Sequence, residues 1–182
     1  MYDRGDVMRR CSLIAICLLV LLCGCSGKSK KEEESMKNYE TFINAVMNNK
    51  GNVSKTIPFD YKLIQQKQAD GSYKYEVIIN NPRVAMYDIQ AIAIDQAVDS
   101  NTNIYPCLGL VGDDIDHAYS MLPFQAYPDL DYWQGIILDG ISKEKQFTLN
   151  VLVSWSDATR TNKFNAFFNL SFAEESSEQE KE

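Results

Sequence analysis

Along the chain the spacing of apolar positions changes once, from a helical period to a strand period. Met36, Tyr39, Phe42, Ile43, Val46 and Met47 recur at three- and four-residue intervals, which marks one face of a helix. Ser35 stands where a cap belongs, and Glu32–Glu34 suit the positive end of the helix dipole. Asn48, Asn49 and Gly51 carry the stop signal. The opposite face lacks the basic set of a membrane-surface helix, so the stripe is expected to pack on the rest of the body.

Beyond Gly51 the period is two. Ile57, Phe59, Tyr61 and Leu63 alternate with Pro58, Asp60, Lys62 and Ile64, and Tyr73, Tyr75, Val77 and Ile79 with Lys74, Glu76, Ile78 and Asn80. Between these runs lies Ala69-Asp70-Gly71-Ser72, a hairpin signal, since Gly71 takes a positive φ at little cost. Pro82 has no N–H to give a ladder and closes the second strand. Further runs cover 85–95, 104–111 (weakly), 132–138, 145–155 and 163–172. In the last two, Phe147, Leu149, Val151, Val153 and Trp155 share one face, as do Phe164, Ala166, Phe168, Leu170 and Phe172. Leu152 breaks the polar side of the first. Seven strands with one-sided alternation predict an antiparallel β-sandwich preceded by one N-terminal helix. An open barrel or a helix-backed sheet would show the same periodicity.

The leader follows different rules. Arg9 and Arg10 precede an apolar run from Cys11 to Leu22, and small residues follow. Basic, apolar, small is the layout of an export signal. Twelve residues cover about 18 Å as a helix, against about 30 Å of bilayer hydrocarbon, so a cleaved signal is expected rather than a permanent span. Met8, directly before the arginines, is a candidate start.

Leu22-Cys23-Gly24-Cys25 resembles the bacterial lipobox: a large aliphatic residue, a variable small one, Gly or Ala, then Cys. The resemblance implies that residues 1–24 are removed and that the Cys25 sulfur carries a diacylglycerol with palmitate-type chains. Two such chains hold stably in a bilayer where one holds weakly. It places the body at the cell membrane on the extracytoplasmic side, with membrane lipid as a partner through Cys25. Residues 25–35, "CSGKSKKEEES", offer no large apolar side chain to a core and predict a flexible tether. The domain proper is expected over 36–173, with a disordered acidic tail at 174–182. The general layout also resembles small exported bacterial lipoproteins with immunoglobulin-like bodies, which implies an Ig-like sandwich and a binding role.

Charge and cysteine content narrow the partners. The chain has 18 basic and 25 acidic residues, net −7, and no basic stripe, so no nucleic acid is expected as a partner. Of five cysteines, Cys11, Cys17 and Cys23 lie in the leader and Cys25 in the box. Cys107 alone remains, which rules out a disulfide within the mature body, and it reads as a small buried residue.

Candidate chemistry is sparse. Asp113, Asp114 and Asp116 crowd beside the only histidine, His117. Hard cations take several oxygens, so these acids are the metal candidates, with Asp129, Asp131 and Asp139 as possible neighbours. The spacing fits neither a twelve-residue calcium loop nor a zinc pattern, and a solvated connection explains it equally well. No cofactor is expected. Tyr119, Phe124, Tyr127, Tyr132 and Trp133 surround two prolines. Aromatics in such a loop offer much contact area at small entropic cost and are the candidate ligand-binding set, or else a lid on the core. The resulting expectation is a noncatalytic binding module at the envelope whose partner is a protein or an envelope polymer. The alternatives are a metal-dependent or hydrolytic envelope enzyme using the Asp113–His117 cluster, and an accessory subunit of a membrane complex.

Overall fold

A computed structural model describes residues 26–95, 97–98, 104–112 and 117–172. Helix α1 runs Ser26–Asn49 and precedes every described strand. It starts earlier than expected. Residues 26–35, expected to form a flexible tether, make its first turns. Ser35 is no cap: its hydroxyl donates to the Glu32 carbonyl at 3.0 Å, within the helix. Glu and Lys are strong helix formers, and Glu33 and Lys37 sit at the supportive i, i+4 spacing. Once the stripe from Tyr39 onward nucleates the helix, adding such residues costs little. At the other end Lys50 (φ 51°) and Gly51 (φ 73°) turn the chain out of the helix, and the side-chain amides of Asn49 and Asn52 each donate to the other's carbonyl at 2.6 Å. No described helix is long and apolar enough to cross a membrane.

Seven antiparallel strands follow among the described residues: β1 Asp60–Lys67, β2 Tyr73–Asn80, β3 Tyr87–Asp95, β4 Cys107–Leu108, β5 Gly135–Ser142, β6 Thr148–Ser156 and β7 Lys163–Ser171. They form two sheets, β1-β2-β5 and β4-β3-β6-β7, as the sandwich expectation requires. The β1–β2 hairpin closes around Gly71 at φ 88°, with the Gln68 N–H donating to the Ser72 carbonyl at 2.8 Å. The run expected at 132–138 begins only at Gly135. A Cβ there would stand 2.7 Å from the Ile79 carbonyl oxygen, so glycine is what lets β5 enter its register beside β2. Residues 132–134 are taken up by the preceding loop.

The core has two parts. Phe59, Val77, Ile79, Ile89, Leu138, Leu149, Val153 and Phe168 fill the space between the sheets. A second cluster joins Tyr39, Phe42 and Val46 of α1 to Ile92, Ile94 and Leu152 on the outer face of the larger sheet. Sheet, sheet and helix therefore make three layers, and β6 is buried on both faces from Leu149 to Ser156. Met36 and Met47, at the edges of the helical stripe, stay exposed. The outer edge of β7 is occupied by the segment after α1: the Ser54 N–H donates to the Phe167 carbonyl at 2.8 Å, and the Phe167 N–H donates to Ser54 Oγ at 2.9 Å.

The strand registers define two ends. Asn80 and Gly135 lie opposite each other, and Tyr87 lies opposite Ser156 beside Lys163. This upper end gathers the 81–86 turn, the 119–134 loop and the 157–162 hairpin loop. The lower end holds the 68–72 hairpin and the connection from Ser142 to Thr148. The first half of α1 lies beside Gln90, Gly109 and Lys163. Its C-terminal end is held by Asn169, whose amide donates to the Gly51 carbonyl at 2.7 Å. The helix thus starts at the upper end and finishes at the lower.

Candidate functional site

The 119–134 loop is built by backbone hydrogen bonds. The Ile89 N–H donates to the Tyr119 carbonyl at 2.8 Å, and Met86 and Met121 exchange bonds at 2.9 and 2.8 Å. These bonds continue the edge of β3 toward the upper end. Pro123 and Phe124 (φ 59°) then reverse the chain. Tyr127 and Tyr132 pair at 2.8 and 3.1 Å around a 3-10 turn, Pro128–Leu130, and Asp131 closes it in the left-handed conformation. The Ser120 N–H donates to the Asp131 carbonyl at 3.0 Å, and the Trp133 N–H to the Ser120 carbonyl at 2.8 Å. Both turns are therefore fastened to the buried Ser120–Met121 pair.

This framework splits the five aromatic candidates. Tyr119 packs against the inner core with its ring centre 6.1 Å from that of Trp133. Tyr132 meets Tyr87 edge-on at 6.5 Å. Trp133 is half-buried, and its indole Nε1 is enclosed without a hydrogen-bond partner. These three serve as the lid on the core. Phe124 and Tyr127 point outward, at 108% and 57% exposure, and Leu130 joins them at 65%. The set expected as one platform is thus an inner support and an outer rim.

Behind Phe124 lies a groove of about 860 Å³ on the outer face of the smaller sheet. Its floor is the cross-strand pair Ile78 and Ile137, and Leu122, Pro123 and Phe124 form one wall. The opposite wall is polar. Arg83 donates to Asp60 Oδ1 and, at 3.4 Å, to the Ile57 carbonyl, while the Asn81 amide donates to Asp60 Oδ2 at 3.1 Å. The Asn81 hydrogen bond, with help from the Arg83 charge, holds the Asp60 carboxyl below its ordinary value. An apolar floor and one satisfied polar wall suit a ligand of mixed character. The aromatic loop by itself gives no hint of Asp60, Ile78, Arg83 or Ile137. The available signal was Ile78 sitting in a polar phase of its strand.

The remaining candidates are dispersed. Cys25, Asp113, Asp114 and Asp116 lie outside the described residues, as does the tail 174–182. His117 is exposed, its ring 6.1 Å from that of Tyr119. Asp129 and Asp131 belong to the 3-10 turn and its cap, whereas Asp139 lies on β5 opposite Glu76. Among the described residues no group of three His, Cys, Asp or Glu is placed to hold a metal ion. Cys107 is half-buried in β4 against the outer core. Compared with protein-family models, with curated proteins and with solved structures, the chain matches none of them.

Proposed function

We propose that this chain is a lipid-anchored extracytoplasmic protein whose sandwich is a noncatalytic binding module, taking a protein segment or an envelope polymer into the groove beside Phe124. The groove is the observation that carries the binding part. It pairs an exposed apolar lip with an apolar floor on a rigid sheet, and aromatic anchors of this kind contribute most to recognition. Its ionisable wall residues, Asp60 and Arg83, are engaged with each other and with neighbouring amides, an arrangement suited to holding rather than to proton transfer. The Leu22–Cys25 box carries the address. At about 0.8 kcal/mol per buried methylene, two acyl chains are a sufficient anchor.

The strand order supports an Ig-like likeness. The sequence β1-β2-β5 against β7-β6-β3-β4 is the order A-B-E against G-F-C with an added strand beside C. Two experiments test the proposal. Cys25→Ser should leave an uncleaved precursor and abolish labelling by radioactive palmitate, and unchanged labelling refutes the anchor. Cross-linking in intact membranes followed by pull-down should capture a partner that Ile137→Lys loses, since a lysine on the groove floor blocks it. Equal capture by both chains refutes the groove.

A further inference from the structure

The start of α1 and the exposed apolar tips of the body lie at one end of the molecule. Lys31 and Thr41, about 15 Å apart along the helix, line one hollow together with Lys163 and Gln90. Lys163 is the first residue of β7, at the upper strand ends, and Gln90 lies three residues below them. The Lys31 end of the hollow therefore faces the upper strand ends. The residue next to Cys25 lies five helical residues further on, about 8 Å. A flexible ten-residue leash would have let the body roam about 30 Å, but a helix packed on the sheet through Tyr39, Phe42 and Val46 gives no such slack. The same end exposes Val84 (43%), Phe124, Tyr127 and Leu130.

Resting on the lipid-anchor reading, we infer that this upper end seats on the surface of the bilayer that holds Cys25, with Leu130 and Val84 entering the headgroup region and Tyr127 at its boundary. A Tyr ring suits a border with one apolar and one wet side. The groove floor, on the side of the sheet, stays in water for its partner. Lys30, Lys31, Lys37 and Lys163 are countered at this end by Glu32–Glu34, Asp129 and Asp131, so charge adds no net attraction to anionic headgroups and the apolar tips carry the seating. The two arginines at this end are already matched, Arg83 with Asp60 and Arg160 with Asp88, so seating strands neither, while Asp129 and Asp131 beside Leu130 stay among the hydrated headgroups.

The test uses the lipidated full chain in vesicles of phosphatidylethanolamine and phosphatidylglycerol (7:3), with and without bromine on the acyl chains. Leu130→Trp places a reporter at the tip. Ile141→Trp places one at the lower end, where Ile141 is 68% exposed. Bromolipid should quench the added emission of Leu130→Trp at least twofold and leave that of Ile141→Trp unchanged. A chain that floats with the vesicles yet shows equal quenching at both positions overturns the seating while the anchor stands. An unquenched Leu130→Trp, the behaviour of a loop kept in water for a protein partner, overturns the seating as well. A chain that does not float overturns anchor and seating together.

Discussion

The Tyr105 backbone N–H donates to the Tyr39 hydroxyl at 2.7 Å, tying the helix to a segment 66 residues away in a buried setting. The Tyr105 hydroxyl in turn donates to the Val98 carbonyl at 2.9 Å. Tyr39→Phe keeps the ring and removes the acceptor. It should cost about 1–3 kcal/mol, the range for stranding a buried polar group, and speed amide exchange at Tyr105. Unchanged stability and exchange would show that the tie contributes nothing.

Leu152 is 2% exposed and faces α1 rather than the second sheet. Leu152→Ala should lose about 2–5 kcal/mol through transfer and cavity terms, read by urea denaturation. Helix amides around Phe42 should exchange faster than those of β2, because the damage lies in the outer layer. A uniform loss across both layers would mean that the helix and sheets unfold as one unit.

Tyr75 is buried between the sheets, and burial, reinforced by the charges of Asp95 and Asp139, pushes its phenol up from 10.0 to about 12. Below pH 10 both folded and unfolded states keep the proton, so the group leaves stability unaltered there. Between pH 10 and 12 the unfolded state releases the proton first, and stability falls with rising pH. The loss should approach about 2–3 kcal/mol at full ionisation. Tyr75→Phe should flatten that part of the pH–stability curve, and an unaltered alkaline slope would refute the assignment.

Close to that phenol, a Cβ at Gly140 would sit 2.5 Å from the Tyr75 ring tip and 2.8 Å from Pro106. Gly140→Ala should therefore destabilise by about 1–3 kcal/mol through overpacking. The pair Gly140→Ala and Tyr75→Leu should recover much of the loss in a double-mutant cycle. Additive losses would place the crowding elsewhere.

In the β6–β7 loop the Asp157 carboxylate accepts from the Asn162 amide at 2.7 Å and the Thr159 hydroxyl at 2.8 Å. These bonds, with further help from backbone N–H groups, hold its carboxyl down at about 2. A depressed carboxylate contributes stability above pH 3.8 that fades as pH falls through 2. A side-chain carbon NMR titration should show a midpoint near that value. Asn162→Ala should raise it, and an ordinary midpoint in the unmodified chain would mean that the loop hydrogen bonds do not persist in solution.

Periodicity along the chain determined most of the architecture. Alternation marked β1, β2, β6 and β7, because a strand with one buried face shows its buried residues two apart, while β3, β4 and β5 were marked only as apolar runs, the last of them starting three residues early. Gly71 announced the hairpin, and Asn49 to Gly51 the helix stop, because those conformations are local. The face of β6 covered by the helix rested on tertiary structure. Leu152, Ile92 and Ile94 are ordinary apolar residues until α1 lies over them, and a one-dimensional pattern does not say which element covers a second face. The helical state of 26–35 depends in the same way on propagation from a packed stripe. The aromatic loop showed its composition but not its orientation, since hydrogen bonds to Met86 and Ile89 decide which rings turn in. Apart from Ile78 in its polar phase, the groove was legible only in space: Asp60, the 78–83 stretch and Ile137 lie far apart in sequence, and strand register together with the Arg83–Asp60 pair makes them neighbours.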